Sequence, residues 1–305
     1  MAPPVGLTPA TIEIGGLARR YWVAPMPQGH EASPPILVVL HGAGGEGMGM
    51  AALSGLDRRG PAAGFVTVFP DGQNRVWSDG RQAPRLRRRQ GVDDVGFLQG
   101  LIDELFARTG SSSVFLAGMS NGALMAEHVA RHGLLDVSGI ALVAGPGTQS
   151  SRASMPRPAR PATAVIFAGT ADPLIPYRGG SIGPLGRLVS RRPGSEPGRG
   201  MAVAAEVSAA DWAAANGVSG PPLVEQLPTR PGDLSVTRTV WRSDGGRPVA
   251  LYRVDGGGHI WPGAPPYLPE RIIGRSCLSL DATGIILDWF RSTGRGRREN
   301  GEFPT

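Results

Sequence analysis

Val114-Phe115-Leu116-Ala117-Gly118-Met119-Ser120-Asn121-Gly122 runs from a continuous apolar stretch into a short turn bracketed by glycines. A helical pattern, Asn121–Arg131, follows at once with Leu124, Met125 and Val129 on its apolar face. An apolar run without polar alternation suits a strand buried on both faces, as in the middle of a parallel sheet. Four further runs share this character: Ile36–Leu40, Phe65–Phe69, Ile140–Ala144 and Ala164–Ala168. Val95–Arg108 and Asp281–Phe290 read as helices, the first with Phe97, Leu98, Leu101, Ile102 and Leu105 on one face. Strands alternating with helices predict an α/β fold with a doubly wound, mostly parallel sheet.

The flanks complete the frame. Thr11–Ile14 and Ala18–Ala24 read as two strands joined at Gly15-Gly16, and Val236–Trp241 and Val249–Val254 as a hairpin across Asp244-Gly245-Gly246. Val203–Asn216 reads as a helix. Arg178–Gly200, rich in Gly, Pro, Arg and Ser, reads as a long surface loop. No linker or internal repeat divides the chain. The expectation is one catalytic domain over residues 1–293 and a basic, disordered tail over 294–305.

Composition narrows the function. The net charge is +6 with 31 basic residues, all arginine, scattered without a helical basic stripe, which argues against nucleic-acid binding. No window has the roughly 18 consecutive apolar residues of a membrane span. The start, Met1–Pro9, has no basic segment leading into an apolar run. The expectation is a cytosolic chain or the mature form of a secreted one. The one cysteine, Cys277, forbids an internal disulfide or a cysteine metal cluster. His128 and His132, four apart on a helix, lack a third ligand, so neither metal nor cofactor is expected.

Ser120 lies in the pattern G-x-S-x-G. Serine needs a base to take its proton and a bend that lifts its hydroxyl from the sheet, and the glycines permit that bend. Gly179-Gly180-Ser181-Ile182-Gly183 matches the same pattern, but no buried strand precedes it and no helix follows, so it reads as a chance match. His41-Gly42-Ala43-Gly44-Gly45 ends a buried strand. Such a loop offers backbone N–H groups to a developing oxyanion. Asn121 and either Ala43 or Gly44 are the candidate donors, with His41 a polar anchor. Asp172, in Gly169-Thr170-Ala171-Asp172-Pro173, and His259, in Gly256-Gly257-Gly258-His259, also follow strands. The order Ser120, Asp172, His259 suits a nucleophile, an orienting acid and a general base at one sheet edge. Trp77, Trp261 and Arg81 are candidate substrate-binding residues on that edge. Arg85-Leu86-Arg87-Arg88-Arg89 reads as a solvated loop or, less simply, an attraction for anionic substrates.

These motifs together resemble the polyhydroxybutyrate-depolymerase-like esterases, relatives of feruloyl and acetylxylan esterases. The resemblance runs from about Ile12 to Phe290. It is carried by R-R-Y-W-V-A-P, V-V-L-H-G-A-G-G, F-P-D-G-Q-N-R-V-W-S-D-G-R, V-D-D-V-G-F-L, G-M-S-N-G-A-L-M-A, G-T-A-D-P-L-I-P-Y, D-W-A-A-A-N-G, G-G-G-H-I-W-P-G and L-D-A-T-G-I-I-L-D-W-F. It implies an α/β-hydrolase fold and a serine carboxylic-ester hydrolase. Hydroxyacid esters, aromatic-acid esters, soluble polyester oligomers or plant polysaccharide esters are the substrates it implies, with acyl transfer to an alcohol as the alternative. Members often carry a leader, a disulfide and, for solid polyester, a substrate-binding domain. This sequence shows none of these, which points away from a solid polymer.

Overall fold

A computed structural model describes residues 4–28, 33–81, 92–149, 156–183, 200–242 and 247–294. The basic segment 85–89, the hairpin turn 244–246 and the tail 295–305 lie outside the described residues. The chain forms β1 (Thr8–Ile14), β2 (Leu17–Val23), β3 (Ile36–Leu40), α1 (Gly47–Ser54), α2 (Leu56–Ala62), β4 (Val66–Pro70), α3 (Asp94–Thr109), β5 (Val114–Met119) and α4 (Asn121–Arg131). It continues through β6 (Gly139–Val143), β7 (Thr148–Gln149), β8 (Thr163–Gly169), β9 (Arg178–Ser181), β10 (Met201–Ala204) and α5 (Ala205–Ala215). β11 (Leu223–Leu227), β12 (Val236–Trp241), β13 (Val249–Val254), α6 (Glu270–Ile273) and α7 (Ala282–Gly294) close it.

Among the described residues, ten strands form one sheet in the order β1-β2-β4-β3-β5-β6-β8-β13-β12-β11. The six central strands, β4 to β13, are mutually parallel, and the apolar runs supply their buried interior. Antiparallel strands finish both edges. This is the α/β-hydrolase arrangement. Alternate β3 residues serve opposite faces: Ile36, Val38 and Leu40 join the core under α3, α4 and α5, while Leu37 and Val39 join the core under α1, α2 and α7. After β3 the chain adds β4 on one side, then crosses to add β5 on the other. The crevice at this reversal, beyond the strand C-termini, is where open α/β sheets bind ligands.

Two expectations need correction. Arg178–Gly200 is not loop throughout. Its start forms β9, which pairs with β10 in a small sheet ordered β7-β10-β9, and β10 takes the first residues of the expected helix Val203–Asn216. Short, glycine-rich strands carry no period-2 signal, so their pairing was hidden. The edge strand β11 and the helices α1 and α2 were also missed. Among the described residues, no helix is long and apolar enough to cross a membrane.

Candidate active site

The turn between β5 and α4 sets Ser120 at φ 55°, ψ −120°. A non-glycine residue there costs about 1–3 kcal/mol and persists only where its surroundings over-determine it. The surroundings do so here. A Cβ on Gly122 would stand 2.3 Å from the Leu40 carbonyl oxygen and 2.6 Å from that of His41. A Cβ on Gly118 would stand 2.5 Å from the Gly122 backbone. The two glycines of the pattern therefore let helix α4 start directly against the end of β3. Ser120 N–H donates to the Val143 carbonyl at 2.9 Å, anchoring the turn to β6.

Asp172 and His259, on different loops, are buried and joined, with His259 Nδ1 2.7 Å from Asp172 Oδ2. Asp172 Oδ1 accepts from the N–H groups of Leu174 and Ile175 at 2.7 and 2.9 Å. With the carboxylate so held, Nδ1–H donates to it and the imidazole lone pair is left on Nε2. The two loops are stitched by their backbones: Thr170 N–H donates to the Val254 carbonyl and Ala171 N–H to that of Gly257, both at 2.9 Å. Ser120 and His259 line one cavity of about 720 Å³. No hydrogen bond links them here; such bonds often tighten only with substrate present.

The loop after β3 forms the cavity floor with His41, Ala43 and Gly44. Gly44 N–H donates to the Arg75 carbonyl at 2.7 Å and is thereby committed. Of the two alternatives for the second oxyanion donor, this favours Ala43. His41 Nε2 accepts from Gly72 N–H at 2.9 Å, so Nδ1 carries the proton and faces the Gly42 carbonyl at 2.8 Å. Burial lowers the His41 pKa below its ordinary value, consistent with a neutral ring bracing two loops.

The substrate-binding candidates divide. Arg81 lines the cavity, its Nε donating to the buried Asp79 carboxylate at 2.8 Å. Neither tryptophan lines it. Trp77 is fully buried in the core beneath α3 and α4, its indole N–H donating to the His41 carbonyl at 3.0 Å. Trp261 lies in the opposite core, its indole N–H donating to Thr283 Oγ1 at 2.9 Å. Both belong to the expected edge, but their rings turn inward.

Sequence reasoning missed the group that holds Asn121. Its side-chain oxygen accepts from Trp77 N–H at 2.8 Å, and its amide donates to the Trp77 carbonyl at 3.0 Å and to Asp79 Oδ2 at 2.6 Å. Asp94 steadies the same loop, accepting from Ser78 N–H at 2.8 Å and from Arg19 at 2.7 Å. The polar spacing in V-W-S-D-G-R and V-D-D-V was visible, but nothing in it said that these carboxylates turn inward.

No protein-family model matches the chain. It is 32% identical over 290 residues to "Putative esterase NocK" of Nocardia uniformis subsp. tsuyamanensis, covering 92% of this chain and 82% of that one. Among solved structures, the acetyl xylan esterase from Aspergillus awamori superposes with a TM-score of 0.51 at 14% identity, covering 83% of this chain and 94% of that one. An α/β serine hydrolase homologue from Coxiella burnetii gives a TM-score of 0.40 at 19% identity, covering 55% and 76%.

Proposed function

This chain belongs to the esterase family of NocK, and from that premise we propose that it hydrolyses carboxylic esters through an acyl-enzyme on Ser120. The observation that carries this reading is the hydrogen-bonded pair Asp172–His259 opening onto the cavity that the strained Ser120 also lines. Ser120 Oγ attacks the ester carbonyl while His259 Nε2 takes its proton. Negative charge gathers on the carbonyl oxygen, facing the N–H groups of Asn121 and Ala43. Collapse breaks the bond to the alkoxy oxygen, which leaves as the alcohol with the proton from His259. Water repeats the sequence against the acyl-enzyme, releasing the acid and restoring the serine. Asp172 holds the ring and stabilises its cation throughout.

The preferred substrates are soluble esters with aliphatic parts, such as hydroxyacid esters and short oligomers. Leu, Ile and Met supply eight of the cavity-lining side chains, beside Tyr267, and the two tryptophans expected to bind substrate are in the cores. Chromogenic esters of graded acyl length, offered with and without a competing alcohol, test the reading. Hydrolysis that needs Ser120 supports it. Product that is mainly the transferred ester assigns acyl transfer instead, and inertness toward every ester defeats both.

A further inference from the structure

The cavity walls come from the two opposite layers of the fold. One wall is Met50 and Leu53 of α1 with Tyr267, all within or packed against the core of the α1, α2 and α7 layer. The other wall is Leu124, Ile175 and Ile182, which form a separate small cluster with Ala202 of β10. That cluster joins the start of α4 to the three-stranded sheet, on the layer that also packs α5. Ser120, His259 and the loop after β3 lie on the sheet edge and so between the two layers. A reacting carbonyl held there has one apolar wall on each side.

We propose that the two walls divide the substrate, so that preferred esters carry an apolar group on each side of the scissile carbonyl, with Leu53 limiting one group and Ile182 the other. This rests on the ester-hydrolase reading and adds to it a specificity element, the small sheet, that holds Ile182 in place through β9. The cavity volume fits this division: about 720 Å³ lies in the upper part of the range for sites that enclose a whole small-molecule ligand, more than one short acyl chain requires. The walls are apolar, so each methylene accepted or refused changes kcat/KM by about tenfold or more.

The test uses two ester series, one lengthening the acyl chain on a fixed small alcohol and one lengthening the alcohol on a fixed short acid. Wild type, Leu53→Trp and Ile182→Trp are compared on both. Each tryptophan should lower kcat/KM for the longer members of one series at least tenfold, leave the other series within about threefold, and the two variants should affect different series. Leu53→Ala and Ile182→Ala, which add room, should extend the same limits and decide the matter if a tryptophan variant fails to fold. Both positions truncating the same series, or neither changing any length limit, overturns the division of the cavity while leaving the esterase reading intact. A wild-type chain inert toward both series defeats the esterase reading itself, and this inference with it.

Discussion

Gly118–Gly122 and Gly179–Gly183 share one spelling and differ in what holds them. The first joins a buried parallel strand to a helix, and its serine is driven to φ 55° by backbone packed on every side. The second belongs to an edge of a three-stranded sheet. There Gly179, Gly180 and Gly183 take the positive φ values, 74°, 118° and 100°, and the serine does not. Ser181 is buried, with Met201 Sδ at 3.5 Å from its hydroxyl, while its neighbours Ile182 and Gly183 face the cavity. The pattern marks a nucleophile only where strand and helix squeeze the turn. Elsewhere the same letters build a wall.

The sharpest way to break this contrast is to remove each hydroxyl. Ser120→Ala should lower kcat by about 10⁴- to 10⁶-fold, whereas Ser181→Ala should leave ester turnover within about threefold; the reverse result would misassign the site. The external support of the first turn comes next. Trp77→Ala should lower stability by about 3–5 kcal/mol, as expected for a fully buried indole, measured by denaturant unfolding. Its rate losses should be alike on short, long and aromatic esters, and a change confined to one ester class would return Trp77 to the pocket wall.

Gly122→Ala places a methyl group against two carbonyl oxygens. Since a displacement of about 1 Å can cost about 10²-fold in rate, a loss of at least that size is expected. Gly180→Ala, with no atom of the described residues beyond its chain neighbours within 4 Å of its Cβ, should retain activity and show only a lower melting temperature. The smallest effect concerns His41. Its folded pKa is lowered by burial, so the unfolded chain binds more protons below about pH 6.5. Its contribution to stability is present above that pH and is lost as pH falls toward the folded value. His41→Gln should flatten the stability–pH curve in that window, and an unchanged slope would show that the ring is not held neutral.

The central strands were legible because burial on both faces leaves mostly apolar letters, as in Ile36–Leu40, and the hairpin strands Val236–Trp241 and Val249–Val254 also carry the expected bounds. The expectation that Asp172 meets His259 rested on their chain order and on parallel topology, which gathers the loops after the strands at one edge. The directions of the tryptophan rings did not follow, because placing a residue on a sheet edge leaves its rotamer undetermined. Trp77 turns inward because Phe97 and His41 offer it ring faces and a carbonyl accepts its N–H. The small sheet was illegible for a different reason: strands of two to four residues joined across a long excursion have no local pattern to read.

The backbone at Ser120 has an evolutionary implication. Glycine would occupy φ 55° with little penalty, so a chain selected for durability alone would drift toward Ser120→Gly, gaining stability as it lost its nucleophile. Keeping the serine means that this chain carries a less favourable fold at the position where the reaction is proposed to begin.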